Sequence, residues 1–313
     1  MPLSFPPPLK PKGTIGLVSP ARWPKPEWIA KSKALLEKRG YQVVVHAQNY
    51  LKDGQLAGSD AARTEALMDM FDDSTIDAIM CVRGGTGAIR ILDRLDYKLI
   101  KKNPKPFVGF SDITVLLQAI SKRCGFATYH GPLGWNLAHT HDPRTLDDML
   151  AVIGNKKKSI KTHFSEAECI RPGRAEGILT GGNIALLQHL IGTPYDWTGK
   201  DSILFIEDVD EPIYKIDRML QHMRLAGKFN GIRAILVGEM VDIGDGETCY
   251  ARKGETPYGR SLKQVLTEAL PPDVPLCFNF PCGHGKYLTT LPVGAHVKFA
   301  LAARGAELSF TQA

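Results

Sequence analysis

Between residues 14 and 130 the chain alternates short runs rich in β-branched and aromatic residues with stretches of helical period, the pattern of a parallel sheet covered by helices. The runs lie at 14–19, 41–46, 76–82, 106–110 and 127–130. Helical patterns occupy 26–39, 59–71, 87–95 and 112–123, the first stopped by Gly40 and the last by Gly125. This half reads as doubly wound. A sheet of that kind opens its ligand crevice beyond the carboxyl ends of its strands, where Ser19-Pro20, Arg83-Gly84-Gly85 and Ser111 all fall.

Residues 141–174 are polar, lysine-bearing and weakly periodic, so the expected division is an N-terminal domain over 1–140, a linker over 141–174 and a C-terminal domain over 175–313. The last begins with a strand, the Gly181-Gly182 turn and a helix. A strand at 202–207, a helix from Pro212 to Leu225 closed by Gly227, a strand at 232–237, a helix at 258–270 and a Gly- and Pro-rich β tail follow. The whole is α/β, with a β-rich second half.

With 313 residues, 43% of them hydrophobic and 23% charged, the chain has enough apolar side chains for a sizeable core. Its net charge is +6, but Lys and Arg are dispersed apart from Lys156–Lys158, which argues against nucleic acid as a partner. The cysteines (Cys81, Cys124, Cys169, Cys249, Cys277, Cys282) form no CxxC pair and read as reduced thiols. The start of the chain lacks a basic segment followed by an apolar core, and no stretch approaches the roughly 18 apolar residues of a membrane span. A cytoplasmic protein without a membrane partner is expected.

Ser111 lies where a buried strand turns sharply into a helix. That junction holds a hydroxyl out of the sheet, with the first helical N–H groups aimed at any oxyanion beside it. Ser111 and Asp112 also suit plain N-caps, and Gly109-Phe110-Ser111-Asp112-Ile113 lacks the final glycine of Gly-x-Ser-x-Gly. A nucleophilic serine needs a base. His284, between Gly283 and Gly285, is the candidate, although a lone histidine in a Gly-rich loop also serves structure. Cys282 reads as a buried thiol rather than a nucleophile. Glu207 ends the apolar run 203–206, a position from which a carboxylate can orient an imidazole, while Asp208, Asp210 and Glu211 read as a solvated loop.

The turn Arg83-Gly84-Gly85-Thr86-Gly87 lacks both the GxGxxG spacing and a Walker lysine. It is better read as offering a Gly84 or Gly85 amide, with the amide of Asp112, as an oxyanion hole. His139 and His141 make only two possible metal ligands, so no metal or organic cofactor is expected.

Taken in order, the segments 13–20, 82–90, 108–114, 179–183, 206–218 and 282–285 resemble the LD-carboxypeptidases, a family that includes murein tetrapeptide carboxypeptidases and microcin C self-immunity peptidases. The resemblance implies a Ser-Glu-His triad on Ser111, Glu207 and His284. It implies an N-terminal Rossmann- or flavodoxin-like domain carrying the serine, a mostly β C-terminal domain carrying the other two, and commonly a homodimer. The helical patterns of the second half make it more mixed than that. The implied substrate is a small peptide: a murein tetrapeptide losing terminal D-alanine across an L-to-D bond in wall recycling. An adenylated peptide analogue is the alternative, stacked on an aromatic such as Trp135, Trp197 or Tyr250, and a silent peptide- or nucleotide-binding protein is the alternative of another class. Thr86 departs from the aromatic residue that often follows Gly-Gly in the family, which bears on substrate preference. Arg83 and Arg218 are candidates for binding a substrate carboxylate, or equally for pairing with a structural acid such as Asp217.

Overall fold

The computed structural model describes residues 3–139, 142–163, 168–244, 257–303 and 305–310. The chain divides into two compact units: residues through Ile160 with Lys286–His296, and Lys161–Gly285 with Val297–Ser309.

In the first unit, strands β1 (Thr14–Val18), β2 (Gln42–Val45), β3 (Ala78–Cys81), β4 (Phe107–Gly109) and β5 (Thr128–His130) run parallel. Their spatial order is β2-β1-β3-β4-β5, that of a flavodoxin-like sheet. The strands were legible because both faces are covered: every residue of β3, β4 and β5 is buried. The covering helices are α1 (Pro26–Lys38), α2 (Asp60–Asp72), α3 (Tyr97–Lys102), α4 (Thr114–Cys124), α5 (Gly134–His139) and α6 (Arg144–Ile153). Pro26 opens α1, and Gly125, in the left-handed region, closes α4.

Two expectations change here. The pattern at 87–95 folds as a 3₁₀ helix, Ala88–Arg94, in which the Arg90 N–H donates to the Gly87 carbonyl three residues back. A single 3₁₀ turn, Ser111–Ile113, precedes α4, so that helix starts at Thr114 rather than at 112.

Residues 141–174, expected as a linker, carry α6 and two strands, β6 (Ser159–His163) and β7 (Glu168–Arg171). Leu146, Met149, Leu150 and Ile153 form a buried stripe at helical spacing, hidden among Arg144, Asp147 and Asp148. The second sheet continues with β8 (Gly173–Asn183), β9 (Ser202–Glu207), β10 (Ala234–Gly238) and β11 (Leu276–Phe280). Then β12 (Leu291–Val293) pairs antiparallel with β5 in the first unit's sheet, and β13 (His296–Ala302) and β14 (Gly305–Phe310) return to the second. The second half is therefore not one continuous domain from 175 to the C-terminus. Tyr287 fastens the segment before β12 by a hydrogen bond to Asp148, and the Leu288 N–H donates to Thr145 Oγ1 at 3.2 Å.

The second sheet runs β6-β14-β13-β8-β9-β10-β11-β7, with β8 through β11 parallel and β7 antiparallel at the edge. Helices α7 (Ile184–His189), α8 (Ile213–Leu225) and α9 (Leu262–Ala269) follow β8, β9 and β10. This is a mixed α/β unit, as the helical patterns implied. The helix expected over 258–270 starts at Leu262 because Ser261 and Gln264 close a capping box ahead of it.

Candidate active site

Ser111 follows β4 with φ at +60°, a left-handed conformation that is uncommon and costly for a non-glycine residue. Close contacts on both sides hold it there. A Cβ on Gly109 would lie 2.2 Å from Ile113 Cγ2, so the strand must end in glycine for the chain to double back. A Cβ on Gly84 would lie 3.2 Å from Ser111 Oγ and 3.3 Å from the Asp112 nitrogen, so the glycine turn after β3 closes directly over the serine. Ser111 stays partly exposed between them.

The turn's peptide planes are also fixed. The Gly84 carbonyl accepts from the Arg22 N–H at 3.3 Å, and in a trans peptide the Gly85 N–H then points the opposite way. Asp112, expected to matter through its amide, uses its side chain to join the two turns. Its buried carboxylate accepts from the Ala88 N–H at 2.9 Å, binding the 3₁₀ helix after the glycine turn to the serine turn. Burial pushes this carboxyl up to about 6, against the opposing effects of the Ala88 hydrogen bond and Arg63. Arg63 is itself fully buried. Its Nη1 donates to the carbonyls of Pro20 (2.6 Å) and Gly87 (2.8 Å) and its Nη2 pairs with Asp60, so one guanidinium ties together the loops after β1 and β3. Nothing in the sequence sets Arg63 apart from other helical arginines.

The second unit pairs a carboxylate with an imidazole. Glu207, Glu239 and His284 lie at or just beyond the carboxyl ends of the adjacent parallel strands β9, β10 and β11. The Nδ1 of His284 donates to Glu207 Oε2 at 2.6 Å, which fixes the tautomer with Nε2 as the basic nitrogen. Glu207 is fully buried and the His284 side chain is 15% exposed. Burial alone would push the imidazole down. The charge and hydrogen bond of Glu207, followed by the charges of Asp208 and Glu239, outweigh it and hold His284 above the ordinary histidine value.

Glu239 went unnoticed in the sequence, although it follows the apolar strand 234–238 just as Glu207 ends its own. Its carboxylate accepts from the Gly283 N–H at 2.7 Å, and its carbonyl accepts from the His284 N–H at 3.3 Å. It thus shapes the loop that presents the histidine. Asp208, expected in a solvated loop, is instead buried. It accepts from Asn183 Nδ2 (2.8 Å), the Val209 N–H (2.9 Å) and the Ala185 N–H (3.1 Å). Burial, with the charge of Glu207, pushes both carboxyls up to about 7. Glu211 is partly exposed and pairs with Lys215 at 3.4 Å.

The remaining candidates fall elsewhere. His139 stacks on Trp135 (4.7 Å between centroids) and lies at 75° to the Trp28 ring (5.2 Å), while His141 lies outside the described residues. Trp197 is core, its Nε1 donating to the Leu187 carbonyl at 3.1 Å; Trp135 is 38% exposed, and Tyr250 lies outside the described residues. Arg218 sits over Tyr214 in the second unit, and Arg83 donates to the Trp23 carbonyl at 2.6 Å in the first. Thr86 is exposed. Cys282 is fully buried with its thiol pushed well up, mainly by burial, which suits packing and not nucleophilic attack. Cys81, Cys124, Cys169 and Cys277 are, like it, free thiols, and Cys249 lies outside the described residues. Among the described residues no helix is long and apolar enough to cross a membrane.

Comparison with known proteins covers both units. Residues 15–131 match the LD-carboxypeptidase N-terminal domain and residues 176–299 the LD-carboxypeptidase C-terminal domain. The probable murein peptide carboxypeptidase of Bacillus subtilis is 35% identical over 291 residues, 90% of this chain and 87% of that protein. The murein tetrapeptide carboxypeptidase of Pseudomonas aeruginosa is 31% identical over 298 residues, 90% of this chain and 91% of its own. Among solved structures, the microcin C7 self immunity protein MccF superposes with a TM-score of 0.87 at 23% identity, over 100% of this chain and 99% of that one, a likeness of fold.

Proposed function

The chain belongs to the LD-carboxypeptidase family and is a serine-type LD-carboxypeptidase; from that premise we propose that it removes the terminal D-alanine of a murein tetrapeptide, using Ser111, His284 and Glu207 as one triad. The observation that carries the nucleophile's assignment is the left-handed Ser111 wedged between β4 and α4 against Gly84. The 2.6 Å Glu207–His284 pair supports the assignment of the base. The Bacillus and Pseudomonas relatives, a probable murein peptide carboxypeptidase and a murein tetrapeptide carboxypeptidase, support the substrate class.

In this mechanism Ser111 Oγ attacks the carbonyl carbon of the bond between the L-centre of the diamino acid and D-alanine, as His284 Nε2 takes its proton. Glu207 holds the resulting imidazolium. The amides of Gly85 and Asp112 receive the oxyanion, each worth about 10²- to 10³-fold in rate. The imidazolium then protonates the leaving nitrogen and D-alanine departs. Water, activated by the same imidazole, hydrolyses the acyl-serine. Free buried thiols favour a reducing cytoplasm as the compartment in which this occurs.

The test is D-alanine release from L-Ala-γ-D-Glu-diaminopimelate-D-Ala by the wild type and by Ser111→Ala. The wild type releases D-alanine and the variant is slower by about 10⁴-fold or more. An inactive wild type would reject the substrate, and an active variant the nucleophile.

A further inference from the structure

In a flavodoxin-like order the chain leaves β1 and β3 towards opposite faces of the sheet, and the ligand crevice opens between their carboxyl ends. An arginine stands on each side of that opening. Arg22 lies four residues past the end of β1 and Arg83 two past the end of β3. Arg22 is fastened by its backbone, which donates to the Gly84 carbonyl and bridges to Leu56. Its side chain then runs along Gly85, where a Cβ would meet Arg22 Cδ at 2.2 Å and Cγ at 2.9 Å. The neighbouring Gly84 is the residue that faces Ser111 Oγ. The arginine stem and the nucleophile thus pack against two consecutive residues, whose Cα atoms are about 3.8 Å apart.

Among the described residues neither cation has a carboxylate partner. Arg63, Arg90, Arg144 and Arg233 each pair with an aspartate. Arg83 instead donates to the Trp23 carbonyl and lies over the Trp28 ring at 5.0 Å, and Arg22 Nε is buried with no acceptor among the described residues. Burial, followed by the charge of Arg22, holds the Arg83 guanidinium below its ordinary value. Two partly buried like charges that act on each other are unfavourable, and an anion in the crevice relieves both.

We propose that Arg22, with Arg83 across the opening, binds the free C-terminal carboxylate of the peptide and so makes the enzyme an exopeptidase; this rests on the peptide-cleaving reading above. In a terminal residue the carboxylate carbon lies three bonds from the carbonyl carbon that Ser111 attacks. Its anchor must therefore sit near the nucleophile, and Arg22 packs on the residue next to the one that faces Ser111. A planar guanidinium fork matches a carboxylate bidentately, as a lysine does not.

The test compares kcat/KM for the free-acid tetrapeptide with that for its C-terminal amide, in the wild type, Arg22→Gln and Arg22→Lys. The wild type prefers the acid. Arg22→Gln loses about 10²-fold on the acid and only a few-fold on the amide, so the preference collapses, and Arg22→Lys falls between. An equal loss on both substrates, or an undiminished preference for the acid, overturns the inference and leaves the peptidase reading standing. A wild type that cleaves neither overturns both.

Discussion

The electrostatics of His284 set how this site responds to pH. A histidine acting as base works in its neutral form, so kcat/KM rises with pH through the imidazole's value. Glu207, Asp208 and Glu239 together hold that value above the ordinary 6.5 despite burial. The acid limb of the wild-type profile should therefore lie above pH 6.5. Glu207→Gln removes the charge hydrogen-bonded to the imidazole, so the limb moves to lower pH while kcat falls by about 10⁴-fold. A pH–rate profile of the residual activity checks both, and an unmoved limb would mean that Glu207 does not set the imidazole's proton affinity. Individual residues differed in how well the sequence announced them. Glu207 was legible because it ends an apolar strand, and His284 because glycines flank it. Glu239 sits at an equivalent strand end but stands alone, without an acidic stretch to draw attention. Arg22 was hidden because its meaning depends on Gly85, far away in sequence.

At the scale of elements, the serine turn works by close approach. Gly109 admits Ile113 against the strand end, and Gly84 admits Ser111. Gly109→Ala places a methyl 2.2 Å from Ile113 Cγ2, which cannot relax without moving the turn. That overpacking should cost about 1–3 kcal/mol of stability, and kcat should fall with the displacement of Ser111. A thermal melt and a D-alanine release assay measure the two effects; wild-type values for both would show that the turn does not depend on this glycine. The motif's missing final glycine is explained by the same contact, since Ile113 occupies the position and packs back over Gly109. Buried strands read clearly from sequence as apolar runs. The 3₁₀ segment after Gly87 read as a helix because periodicity alone does not separate three residues per turn from 3.6 over so short a stretch. Helix α6 was lost for the opposite reason: its charged face and the lysines after it masked a clean apolar stripe.

For the whole molecule, the chain's path matters most. The first unit holds Ser111 and the second holds Glu207 and His284, and immediately after His284 the chain returns to the first sheet as β12. The sequence suggested two domains in simple succession. It could not reveal that return, because a three-residue antiparallel edge strand at the far end of the chain carries no local sign of its partner. The central claim is that Ser111 and His284 act as one catalytic group, and a double-mutant cycle tests it most directly. D-alanine release by Ser111→Ala, His284→Ala and the double variant is to be compared with the wild type. Residues of one triad act as a unit, so the double variant should be no slower than the slower single, each down by about 10⁴-fold or more. Losses that multiply in the double variant would show that Ser111 and His284 act independently, and would contradict the account.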